Sequence, residues 1–203
     1  MSRMTPRPFR DRRRPRPRRT SRPPGLAGIA ALTLLALFVL LWWSRYEAAR
    51  RLPAQGNLPQ PPPAETTLVD RVERVIDGDT IVGARLGRIR YIGINTPELD
   101  APDPAVRRMA QEAARVNRRL VEGRTVQLAL DVQERDRYGR LLAYVWVEGL
   151  FVNAHLVEQG YAQAMTVPPN VRYAELFVRL EREARANRRG FWGRQPDWTP
   201  ADR

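Results

Sequence analysis

No cysteine occurs in the 203 residues, and none of the 35 basic residues is lysine; every one is arginine. Without thiols there are no disulfides and no thiolate metal sites, and the redox compartment stays open. The missing lysine reflects codon bias more than chemistry, although a guanidinium suits bidentate phosphate binding better than an ammonium. Long apolar stretches are scarce as well. Only residues 26–43, "LAGIAALTLLALFVLLWW", run without a charge, and as a helix they would be about 27 Å long, enough to span a bilayer core. Trp42 and Trp43 would sit at the interfacial belt. A cleaved signal peptide fits less well, because the run is long and "SRYEAAR" is a poor cleavage site. A twin-arginine signal would need further consensus residues that are missing.

The net charge of +13 is uneven. Residues 1–24 carry ten arginines against Asp11 alone, whereas residues 66–203 hold 22 arginines and 19 acids. An arginine-rich, proline-rich head of this kind is expected to be disordered and to stay in the cytoplasm, which orients the anchor and puts the rest of the chain on the outer, periplasmic or extracellular side. The expected organisation is a cytoplasmic tail over 1–24, a transmembrane anchor over 25–44, a proline-rich linker over 45–65, one globular domain over 66–195 and a short tail over 196–203. No internal repeat is visible.

Within the domain, period-two patterns in "TTLVDRVERVI", "DTIVGARL" and "RIRYIGI" predict three strands. The period then changes. Val106, Met109, Ala110, Ala113, Val116 and Leu120 recur every three or four residues and predict a helix that stops at Gly123. "TVQLAL" and "GRLLAYVWV" return to strand, "FVNAHLVEQG" predicts a short helix, and a longer one follows with Asn170 as its cap and Tyr173, Leu176, Phe177, Leu180 and Ala184 inward. This order suits an α+β fold: a five-stranded OB-fold β-barrel with three packed α-helices, preceded by one transmembrane helix.

Three polar clusters fall at strand ends. "IDGDT" sets Asp77 and Asp79 about a glycine, where both carboxylates can reach one hard cation, although a DG turn alone is common. "RIRYIGINTPE" carries Arg90 on a strand and then Asn95, Thr96 and Glu98; such an arginine is a structural ion pair or a phosphate clamp. "ERDRYGR" brings Arg137, Tyr138 and Arg140 into the next strand, and a charged loop of this kind is often merely solvated.

Taken together, in this order and spacing, the clusters resemble the thermonuclease family, the staphylococcal-nuclease-like domains. The resemblance runs over roughly residues 66–195 and includes "VNAHLVEQGYA" and "ARANRRGFWG". It implies a calcium-dependent nuclease acting on single-stranded or frayed DNA, and on RNA, with little sequence preference and 3′-phosphate products. By the same resemblance Asp79, Thr96 (through its carbonyl) and position 95 ligate calcium, and Asp77 holds the ion through water. Glu98 is the general base, Arg90 and Arg140 clamp the phosphate, and Arg137 and Tyr138 line the nucleotide pocket. The chain departs from the family pattern twice. Asn95 stands where the family has aspartate, which lowers the expected calcium affinity, and Thr166 lies where a tyrosine often stacks on the nucleotide. His155, the only histidine, is expected to be structural or solvated. No protein partner is implied. The competing reading is a nucleic-acid-binding module of the same fold with weakened catalysis.

Overall fold

Inward-facing aliphatic residues separated by single polar ones shape the first three strands, and a run of apolar residues shapes the last long one. A computed structural model describes Leu37, Val39, Leu40 and residues 58–194. β1 (Leu68–Val75) pairs antiparallel with β2 (Thr80–Gly83), which pairs with β3 (Gly87–Tyr91). On its other side β1 pairs with β5 (Thr125–Ala129), and β5 with β6 (Leu141–Val147). β6 then runs parallel to β3 and closes a five-stranded barrel. Ile81, Ile89, Val126, Leu128 and Val145 are fully buried inside it, each contributing about 1.5–3 kcal/mol through burial.

β4 (Ile94–Asn95) pairs with β8 (Gln163–Ala164) in a small separate sheet, and β7 (Leu150–Phe151) extends β6. Three helices pack on the barrel, as expected. α1 (Pro104–Val121) starts with a proline at its first position, and Asp103 caps it by accepting from the Ala105 N–H at 2.7 Å. α2 (Val152–Glu158) is buried nearly all round, its polar Asn153 and His155 included. α3 (Ala174–Ala186) turns Phe177, Leu180 and Ala184 inward and ends before a short 3-10 turn over Gly190–Gly193.

Asn170 does not cap α3, contrary to the sequence expectation. The helix begins three residues later, at Ala174, and the Asn170 amide is spent elsewhere: it accepts from the Gln133 N–H and donates to the Gln133 carbonyl, both at 2.8 Å. With oxygen and nitrogen both bonded to the Gln133 backbone, the amide is oriented toward that loop and not toward the first turn of α3.

The expected tails at 1–24 and 196–203 lie outside the described residues, as does the expected anchor at 25–44 apart from helical Leu37, Val39 and Leu40. Among the described residues no helix is long and apolar enough to cross a membrane. The C-terminal end of the proline-rich stretch is packed on the barrel. Leu58 joins the hydrophobic core, and the Pro59 carbonyl accepts from the Trp146 indole N–H at 3.1 Å. Trp146 is itself fully buried and stacked on Phe151.

His155 lies in α2 at 7 % exposure, and burial lowers its pKa to about 4. Its folded pKa lies below the unfolded value, so its contribution is fully present above about pH 6.5 and is lost as pH falls through about 4. Chemical denaturation from pH 4 to 7 should therefore show roughly 3 kcal/mol less acid sensitivity in His155→Gln than in the parent. Equal pH slopes in the two proteins would mean that His155 is not buried as a neutral ring.

Candidate active site

The DG turn between β1 and β2 and the turn after β4 come together because glycine lets them. A Cβ on Gly78 would lie 2.6 Å from Thr96 Cγ2 and 2.8 Å from Ala113 Cβ of α1, so only glycine admits this approach. From the first turn, the Asp79 carboxylate accepts from the Thr96 N–H at 2.8 Å and the Thr96 hydroxyl at 3.0 Å. Its other oxygen lies 3.2 Å from Arg90 Nη1 and 3.3 Å from the Thr80 hydroxyl. Arg90 also donates to the Tyr91 carbonyl at 2.9 Å and to Asn95 Oδ1 at 3.1 Å. Asp79, Arg90, Asn95 and Thr96 are all buried, so each bond acts at low local dielectric.

Asp77 holds this turn in shape by accepting from the Asp79 N–H at 2.9 Å. Burial, and next the negative charge of Asp79, push its pKa up to about 6. Two carboxylates pressed together in this way are relieved by a cation. Two carboxylates and an amide oxygen, Asp77, Asp79 and Asn95, are the hard oxygen donors of this network, the chemistry that a divalent, oxygen-preferring ion takes. Among the described residues no group of three acidic, histidine or cysteine side chains gathers here or elsewhere.

Next to this network opens a cavity of about 810 Å³. Arg90 and Asn95 line it on one side, and Asp136, Arg137, Tyr138 and Arg140 on another. Arg140 is oriented by Asp136, which accepts from its Nε at 2.7 Å and from its backbone N–H at 3.0 Å. Burial would raise the Asp136 pKa, but the bonds from Arg140 and the Tyr138 N–H hold it below the usual carboxylate range. Tyr138 is 68 % exposed, with the Arg137 and Arg140 guanidiniums 4.8 and 5.5 Å from its ring centre. Met165 and Val167, either side of Thr166, give the opposite wall an apolar surface.

Of the nine residues singled out from sequence, five line the cavity: Arg90, Asn95, Arg137, Tyr138 and Arg140. Asp77, Asp79 and Thr96 lie behind it, joined to it through Arg90 and Asn95. Glu98 follows on the same turn, half-buried, with Oε1 shielded from solvent, and it is not part of the cavity wall. His155 stands apart in α2. Sequence reasoning missed Asp136, which holds Arg140, and Asn117 of α1, which accepts from the Tyr91 hydroxyl at 2.9 Å and donates to the Asp77 carbonyl at 3.2 Å. The only signal for Asn117 was a polar residue among the inward positions of α1. It missed Asn153 too, whose amide links the Val145 N–H to the Ile92 carbonyl and so fixes the chain just before β4.

A family profile described as "Staphylococcal nuclease homologue" matches residues 88–194, more than half of the chain. The chain belongs to this family. Among its relatives, the thermonuclease of Staphylococcus hyicus is 38 % identical over 125 residues, which cover 60 % of this chain and 74 % of the relative. The thermonuclease of Staphylococcus intermedius is 36 % identical, covering 61 % and 75 %. Endonuclease YncB of Bacillus subtilis is 37 % identical, covering 61 % of each. Membership of the staphylococcal nuclease family agrees with the five-stranded barrel and three helices seen here.

The close approach at Gly78 carries its own prediction. Gly78→Ala should destabilise the domain by about 1–3 kcal/mol, the usual range for overpacking, and should loosen the cavity. Denaturant titration measures the first effect and hydrogen exchange at the Thr96 amide the second. An unchanged midpoint with an unchanged Thr96 exchange rate would show that the two turns are not held against each other.

Proposed function

We propose that the chain is a calcium-dependent nuclease that hydrolyses DNA, and RNA as well, with little sequence preference, leaving 3′-phosphate ends. The observation that carries this reading is the pairing of Arg90 and Arg140 on one cavity, each fixed by a carboxylate, Arg90 by Asp79 of the DG turn and Arg140 by Asp136. The thermonuclease and endonuclease relatives support it.

In this reading the phosphodiester enters the cavity between the two arginines. Arg140 is held through Nε, so its terminal nitrogens can donate to phosphoryl oxygens, whose charge grows as water attacks. Arg90 supplies the second fork. Glu98 takes the proton of the attacking water as the new P–O bond forms and the bond to the 5′ oxygen breaks. Asp79, Asn95 and the Thr96 carbonyl would hold calcium, with Asp77 holding it through water, and the ion would supply further positive charge against the phosphate. Tyr138 offers a ring on which a base can stack, with Met165 and Val167 as apolar contacts across the cavity. We place the domain on the outer side of a membrane, held by residues 25–44; the uncharged run and the arginine-rich head support that placement.

Asn95 has a specific cost. A neutral amide completes a donor set with two carboxylates, so calcium should bind weakly. Asn95→Asp should lower the calcium midpoint for cleavage of single-stranded DNA, and calorimetry should show tighter calcium binding. If neither changes, Asn95 is not a ligand. Glu98→Gln should cut kcat by about 10²–10⁴-fold while leaving DNA binding intact. Should the parent bind DNA yet cleave none at saturating calcium, the domain is a binding module of the same fold.

A further inference from the structure

β1 contains a bulge, and the bulge changes which way its last charged residue faces. Asp70 and Val72 point inward, then the register shifts between Val72 and Arg74, and Val75 is the next residue inside. The extra residue, Glu73, inverts the alternation and puts Arg74 on the outer face of the barrel. There Arg74 lies beside Val82 of β2, and Val82 beside Arg88 of β3. β3 and β6 are in parallel register, with Ile89 opposite Leu141 and Arg90 opposite Leu142. Arg140 directly precedes β6, whose first residue, Leu141, is the one opposite Ile89. Arg74 and Arg88 therefore occupy one row across the outside of the barrel, Arg90 is one pleat further along on the same face, and Arg140 stands just ahead of the adjoining strand.

Arg74 and Arg88 are exposed, and neither has an ion-pair or hydrogen-bond partner among the described residues. The carboxylate of Asp136 is spent on Arg140. Two exposed guanidiniums on one face, two strands apart with no carboxylate bonded to either, leave a local positive surface that a polyanion can cover. With strands about 4.8 Å apart, the row from Arg74 to Arg88 covers roughly 10 Å, and Arg90, one pleat further along, lines the cavity. Half-exposed Val82 sits in the middle, flat enough for a sugar or base to pass.

We propose that Arg74 and Arg88 form a track for the phosphates of a single-stranded nucleic acid that flank the scissile one. This rests on the nuclease reading for its cavity end, but the track itself is a binding surface. It explains how a domain with a small net charge can grip a long strand without high overall charge: the contacts are aligned rather than numerous.

The test uses the full chain and the pair Arg74→Ser/Arg88→Ser, with Arg115→Ser/Arg119→Ser on the exposed face of α1 as an equal-charge control. Equilibrium binding of a labelled single strand of about 12 nucleotides, within the footprint of an OB fold, is measured with a chelator present across a salt series. The track pair should lower the slope of log K against log salt by about 1.4, or about 0.7 per phosphate contact, and weaken binding roughly tenfold or more at about 0.1 M salt. The control pair should leave the slope near the parent's. With calcium, KM for the same strand should rise in the track pair while kcat/KM for a dinucleotide stays the same. An unchanged slope in the track pair, or an equal fall in the control, overturns the proposal. A parent that cleaves neither substrate overturns the nuclease reading alone, because the chelated binding series still decides the track.

Discussion

The carboxylate of Asp79 takes four donors from three parts of the chain: the Thr96 backbone and hydroxyl, the Thr80 hydroxyl and the Arg90 guanidinium. A buried charge is tolerable only when it is matched and bonded in this way, and the matching dictates where the neighbouring elements go. β2 must begin at Thr80, β3 must bring Arg90 alongside, and the 95–98 turn must fold back over Gly78. Removing one partner would leave the opposite charge stranded in the interior, which is why Arg90 is as much a structural residue as a candidate clamp.

Around that centre the molecule uses amides and carboxylates as spacers of fixed length. Asn117 joins α1 to both the Tyr91 hydroxyl and the Asp77 carbonyl, Asn153 joins α2 to β6 and to the turn before β4, and Asn170 joins the loop before α3 to Gln133. None of the three is near the surface, and each spans two elements far apart in sequence. A loop that carries Arg137, Tyr138 and Arg140 is thereby braced at both ends, by Asn170 through Gln133 and by Asp136 from within. Rigid support of this kind matters more for a site built from long side chains than for one built from backbone, because each arginine has much rotamer freedom to lose.

Much of the barrel could be read in advance. The alternation in β1 to β3, the change of period at α1 and the apolar β6 each have a direct signature. What escaped was chemistry with no local period. An asparagine on an apolar helix face looks like a weak core position until its partner is known, and Asn170 looked like a cap because caps are commonly asparagine. The β1 bulge was equally invisible, since one inserted residue in an alternating strand leaves composition unchanged. The clustering of Arg90, Asn95 and Arg140 on one cavity could be anticipated only through the resemblance, not from spacing.

The stretch over Leu58 and Pro59 has a consequence for how the chain can be cut. Its last residues before β1 are part of the packed body, with Leu58 in the core and Pro59 bonded to Trp146. A cut ahead of Leu58 would keep Leu58 in the core and the Pro59 carbonyl on Trp146. A cut a few residues later would strip the cover from the Trp146–Phe151 stack and expose one of the largest aromatic surfaces in the domain. The boundary between a barrel with its aromatic stack covered and one with that stack exposed therefore falls within a handful of residues.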